Sequence, residues 1–299
     1  MLTPQNQAVH ESNRQLLADF FAAAEAGPDG FRRVYDDFFS GFDVPTEANY
    51  TEVDAGGVPA IWCDAPGTDL SKAIVHFHSG GYMLGSAHGY RGFGARLSAA
   101  SGARVLLVDY RLAPEFCFPT PADDAVAALR WTIAELGHDR VAVSGDSAGG
   151  ALALVALQTL RDAGEPLPVA GLSFSPFADL AVTGASVTTN EEVDPLGAPA
   201  LYKQMAALYL NGADPMTPKA SPLYGDFAGL PPLLICAGSI ESLLDDATRC
   251  ASRAEQAGVE VTLHIVQDMV HIWPIFADRL PEAEDTLKHA GAFAAEHLA

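Results

Sequence analysis

The chain is poor in cysteine and in positive charge, and it has no long apolar run. Its four cysteines, Cys63, Cys117, Cys236 and Cys250, form no C-x-x-C pair and stand at no zinc-like spacing from histidine. That argues against a disulfide framework and a zinc module. Cys236, inside the apolar run PPLLICAG, reads as a small buried residue. Reduced thiols and a cytoplasmic location are expected. Only 17 Lys and Arg face 38 Asp and Glu, a net charge of −21. Such a surface repels phosphate backbones and anionic membranes, so no nucleic-acid partner is expected. No stretch reaches the roughly 20 apolar residues of a membrane span. The first residues, MLTPQNQAVHESNRQ, lack the basic and apolar regions of a signal peptide. Internal repeats and low-complexity tracts are absent as well.

What remains is a 299-residue chain, 49% hydrophobic, long enough to bury a large core. Eight strand-like runs stand out: NYTEVDA, GVPAIWCD, KAIVHFH, ARVLLVDY, DRVAVSG, PVAGLSFS, PPLLICAG and VEVTLHIV. The first two alternate and lie close together, as an antiparallel pair does. The later ones are continuous apolar runs, as in parallel strands buried on both faces. Helical patterns follow at 121–136, 147–163, 243–257 and 282–298. The alternation predicts an α/β protein with an open, mostly parallel sheet. Before the first strand, 9–26 reads as an amphipathic helix through Leu16, Leu17, Phe20, Phe21 and Ala24, broken at Gly27, Pro28 and Gly30. A second helical stretch carries Val34, Phe38 and Phe39. Residues 178–230 hold no clear strand and one helix, at 199–211. They are too long for a plain connection and read as an insertion.

The chemistry concentrates in three loops. VAVSGDSAGGALAL is strand, sharp turn and helix, with Ser147 between Gly145 and Gly149. Glycines let strand and helix pass closely beside a serine on a strained turn, and the helix N-terminus favours an anion there. A capping serine on a glycine-rich turn is the plainer alternative. After the third strand, His78-Ser79-Gly80-Gly81 can turn backbone N–H groups toward the same sheet end. With the Ala148 N–H, they would hold the oxyanion of a tetrahedral intermediate. Among nine histidines, His271 follows the last strand in an apolar loop, QDMVHIWPIF, and needs a carboxylate to orient it. His10, His138, His289 and His297 read as surface positions. The segment SIESLLDDATRC offers Glu241 in a loop and Asp245 and Asp246 about one helical turn on; the loop residue is favoured over Asp245.

These residues resemble the hormone-sensitive-lipase-like branch of the α/β-hydrolase family, the bacterial group of small carboxylesterases. The resemblance runs over nearly the whole chain. It rests on HSGG at 78–81, GDSAG at 145–149, DYRLAPE at 109–115 and ADPMTPKASPL at 213–223. It implies an α/β-hydrolase fold, with a central eight-stranded mostly parallel sheet, flanking helices and a helical cap. The cap would comprise residues 1–45 and an insertion within 178–230; the catalytic domain would span 46–299. The implied triad is Ser147, Glu241 and His271, and the implied oxyanion donors are Gly80, Gly81 and Ala148. The implied activity is hydrolysis of short- to medium-chain esters through an acyl-enzyme, with no metal or cofactor and a possible homodimer through the sheet edge. The same machinery serves lactonases and amidases, and the branch includes non-catalytic receptors that lack the histidine. Two departures stand out. Ser79 occupies a position that is glycine in the branch, and the acid motif begins with Glu241 instead of aspartate.

Overall fold

The computed structural model describes residues 2–298. The chain opens with helix α1 (Pro4–Ala22) and helix α2 (Gly27–Ser40). The sheet then begins with β1 (Asn49–Asp54), β2 (Pro59–Asp64) and β3 (Asp69–Phe77). Next come α3 (Arg91–Ser101), β4 (Ala103–Val108), α4 (Thr120–Leu136), β5 (Val141–Asp146), α5 (Ala148–Asp162) and β6 (Gly171–Phe174). The long segment that follows contains α6 (Ser186–Thr189), α7 (Pro199–Leu210) and a 3-10 turn (Pro222–Tyr224). The chain ends with β7 (Leu233–Gly238), α8 (Leu244–Gln256), β8 (Val261–Val266) and α9 (Pro281–His297).

All eight strands join one sheet in the order β1-β2-β4-β3-β5-β6-β7-β8. The β1–β2 and β2–β4 pairs are antiparallel, and every pair from β4 to β8 is parallel. The continuous apolar runs have a direct cause. Every residue of β5 and β7 is buried, because helices cover both faces of the sheet. Helix α3 packs on α9 so closely that a Cβ on Gly291 would lie 2.4 Å from the Ala100 carbonyl carbon. Helices α4 and α5 pack on each other and on the central strands. Strand β8 closes one side with its outer edge unpaired, leaving Leu263 and Ile265 exposed.

The N-terminal helices differ from expectation in instructive ways. Helix α1 starts at Pro4, five residues before the expected 9, because the Thr3 hydroxyl caps it by accepting from the Asn6 N–H. Its buried stripe is Asn6, Val9, His10, Asn13, Leu16 and Phe20, so His10 is not a surface residue. Phe21, counted among the apolar face, is 65% exposed. Half of the stripe is polar, and apolar periodicity registers only the rest. Helix α1 ends at Ala22, short of the expected 26, and a 3-10 turn (Ala24–Ala26) leads into α2, where Gly27 and Pro28 stand in the first turn, a place that suits proline. Helix α3 was not expected at all. Its sequence, RGFGARLSAAS, contains two glycines and few large apolar residues, which weakens the helical signal.

Candidate active site

Strand β5 delivers Ser147 at its C-terminal end, and α5 begins at the next residue. The turn holds Ser147 at φ 54° and ψ −118°, a left-handed conformation that costs a side-chain-bearing residue about 1–3 kcal/mol. Close packing imposes it: a Cβ on Gly149 would lie 1.9 Å from the Phe77 carbonyl oxygen, so α5 can cross β3 only at glycine. The serine therefore stands out of the sheet end while remaining only 6% exposed.

The loop after β8 returns His271 to this point, with Nε2 2.9 Å from Ser147 Oγ. Glu241, fully buried in the loop after β7, places Oε2 3.8 Å from His271 Nδ1. That is ion-pair range but beyond a hydrogen bond, and both His271 Nδ1 and Glu241 Oε1 are buried without a partner among the described residues. Such contacts are commonly long before substrate arrives. Asp245 points elsewhere: its Oδ2 accepts from the Ser186 N–H at 3.0 Å. Burial disfavours the imidazolium of His271, but Glu241, helped by Asp194 and Asp146, outweighs it and raises the pKa above the ordinary histidine value. Burial also pushes the Glu241 carboxyl up, against the pull of His271, Ser175 and the Gly238 N–H.

Beside the serine, the chain leaves β3 into a turn with Gly80 at φ 119° and Gly81 at φ 59°. Among the described residues, nothing accepts from the N–H groups of Gly80, Gly81 and Ala148. The cavity between these loops and the helices α1, α2 and α7 has a volume of about 70 Å³. Its lining is mostly apolar and includes Leu16, Phe20, Phe177, Leu201, Met205 and Ile275 around Ser147 and His271.

A model of the α/β-hydrolase fold family matches residues 74–275. An esterase from the bacterial hormone-sensitive lipase family, solved by crystallography, superposes with a TM-score of 0.96 at 40% identity, each chain covered in full. The chain belongs to the α/β-hydrolase family, in its bacterial hormone-sensitive-lipase branch. An acetyl-hydrolase of Streptomyces hygroscopicus is 44% identical over 242 residues, 81% of each chain. An ethyl acetate hydrolase of Pseudomonas putida is 33% identical over 269 residues, 86% of this chain and 84% of its own.

In this α/β-hydrolase the DYRLAPE segment is a scaffold for the glycine loop. Asp109 Oδ1 accepts from the Ala87 N–H, and the Tyr110 hydroxyl donates to the His78 carbonyl at 2.8 Å. Arg111 donates two bonds to Asp124 Oδ2 and one to Oδ1. Glu115 receives a bidentate pair from Arg32 of α2, which also donates to the carbonyls of Met83 and Ala113. Ser79, the departure from glycine, joins the same frame. Its hydroxyl bonds to those of Tyr35 on α2 and Tyr90, and Tyr90 donates to Asp146 at 2.6 Å, next to the serine. A buried chain thus runs from α2 to the strand end that carries Ser147.

Sequence reasoning missed several residues of this hydrolase site because their partners are remote along the chain. Ser175, buried after β6, donates to Glu241 Oε2 at 2.7 Å and accepts from the Ile272 N–H at 3.1 Å. It ties the acid loop to the histidine loop. Asp194 Oδ2 accepts from the Ser242 N–H, and the Asn190 amide donates to the Glu241 carbonyl. The long segment after β6 therefore braces the Glu241 loop. Asp246, which the sequence did offer as an acid, is spent instead on the N–H groups of Ala178 and Asp179 and on Arg249; burial pushes its pKa up to about 7. Among the aromatic residues of α1, α2 and α7, Phe20, Phe38 and Tyr202 line the cavity, whereas Tyr209 stacks on Tyr82 at 3.9 Å and Phe39 packs on Tyr90.

Proposed function

We propose that the protein is a serine carboxylesterase that hydrolyses short- to medium-chain carboxylic esters through an acyl-enzyme. The observation that carries this reading is the 2.9 Å contact of His271 Nε2 with Ser147 Oγ, two residues that line a small apolar cavity. The hydroxyl gives its proton to Nε2 as Oγ attacks the ester carbonyl. The imidazolium is stabilised by Glu241, whose carboxylate meets Nδ1–H once the 3.8 Å gap closes. The carbonyl oxygen becomes an oxyanion held by the N–H groups of Gly80, Gly81 and Ala148. One such donor is worth about 2.7–4 kcal/mol of the barrier. His271 then protonates the leaving alcohol, and water releases the acid by the reverse sequence. The small cavity and the names of the acetyl-hydrolase and ethyl acetate hydrolase relatives favour small acyl groups. In this reading α1, α2 and the 178–230 segment act as the cap, and the open edge of β8 is the homodimer contact.

The test is Ser147→Ala, assayed on p-nitrophenyl butyrate. The expected result is a fall in kcat of about 10⁶-fold, as for removal of the nucleophile in other serine hydrolases. Hydrolysis at the wild-type rate by this variant would place the chemistry elsewhere.

A further inference from the structure

Three polar side chains face inward from α1, and two of them are committed to the body of the protein. The Asn6 amide donates to Glu282 Oε1 at 3.3 Å, and His10 Nε2 meets the Asp268 carbonyl at 3.3 Å. Asn13, on the same stripe, is 2% exposed, lines the cavity with Ser147 and His271, and buries Nδ2 without a partner. A buried amide donor left empty is costly, and nothing about docking α1 requires it, since leucine would suit the surrounding Leu16 and Phe20. The other polar groups of that wall are taken: the Tyr35 hydroxyl bonds to Ser79, and Ser79 to Tyr90.

We propose that Asn13 is a specificity-determining residue whose side-chain amide donates a hydrogen bond to an oxygen of the substrate remote from the scissile carbonyl. The substrate class is an ester bearing a second oxygen function, a ketone, hydroxyl or ether, on its acyl or alcohol chain. This rests on the esterase reading and narrows it. A bond to such an oxygen discriminates because the analogue lacking it leaves the buried amide unpaired.

The experiment measures kcat/KM for two matched pairs, each corrected for its rate of alkaline hydrolysis. On the acyl side these are p-nitrophenyl 4-oxopentanoate and p-nitrophenyl pentanoate. On the alcohol side they are 2-methoxyethyl butyrate and butyl butyrate. Wild-type protein is compared with Asn13→Leu and Asn13→Asp, the latter keeping shape while replacing the donor with an acceptor. The expected result is an oxygenated-to-plain ratio about tenfold lower in both variants for at least one pair, the worth of one neutral hydrogen bond. A thermal melt and a circular dichroism spectrum of each variant report that it is folded, and the ratio within each protein cancels any loss of rate common to both esters. Ratios equal in all three proteins for both pairs, with the plain esters still cleaved, overturn the role of Asn13 and leave the esterase reading intact. Failure of wild-type protein to cleave any of the four esters overturns both.

Discussion

Ser175 offers the sharpest test of how the acid is held. Its hydroxyl is fully buried, donates to Glu241 Oε2 at 2.7 Å and accepts from the Ile272 N–H at 3.1 Å, one residue after His271. Ser175→Ala removes both bonds without changing the local volume much. A hydrogen bond to a charged group is worth about 1.5–3 kcal/mol, and an N–H stranded in the interior costs about 1–3 kcal/mol. The two act on one small region and do not add in full, so the expected destabilisation is about 2–4 kcal/mol. For a protein of this size that lowers the melting temperature by about 3–6 °C. The carboxylate keeps the Gly238 N–H at 3.2 Å, so it stays in the loop but loses its lateral support. Catalysis should fall less than when a triad acid is neutralised, which costs about 10⁴-fold; a loss of about 10–100-fold in kcat is expected, with KM nearly unchanged. Ser175 also sits at φ 46°, so Ser175→Gly relieves backbone strain while deleting the same hydroxyl. Both variants should lose activity alike if the hydroxyl is responsible. The assay is steady-state hydrolysis of p-nitrophenyl butyrate beside a thermal melt. Wild-type kcat in both variants would refute the claim that this serine positions the acid.

Two further outcomes follow from the same geometry. Glu241→Gln should lower kcat/KM on the order of 10³–10⁴-fold, whereas Asp245→Asn, which loosens only the bond to the Ser186 N–H, should stay within about threefold of wild type; the reverse order would move the acid to Asp245. In the proposed mechanism His271 must be neutral to take the serine proton, and Glu241 outweighs burial to raise its pKa, so kcat/KM should be lost as pH falls through a value above about 6.5. A pH–rate profile with its acidic limb centred below that value would contradict the charge arrangement around the ring.

Much of the fold was legible because its physical causes are local. A strand covered on both faces must be apolar throughout, so the runs that became β3 to β7 announced themselves, and β1 and β2 showed the alternation of an outer antiparallel pair. Helix α3 escaped because close packing on its neighbours selected small residues, and smallness erases hydrophobic periodicity. Helix α1 was half legible: Leu16 and Phe20 were visible, but Asn6, His10 and Asn13 were not, since a polar residue declares its burial only through a partner. For the site, strand, turn and glycine spacing singled out Ser147, and the chain's own order placed an acid and His271 on later loops.

By itself, then, the sequence determined which segments lie buried and which loops leave the sheet's carboxyl end carrying reactive side chains, because hydrophobic pattern and turn chemistry are properties of neighbours in the chain. Only the tertiary structure decided that Glu241 and not Asp245 faces His271, that Ser175 links their loops, that Ser79 ties α2 to the strand end, and that Asn13 lines the cavity with its amide nitrogen buried and, among the described residues, unpartnered. Those are contacts between residues far apart in sequence. Ångström-scale packing of whole elements sets such distances, and no local pattern records them.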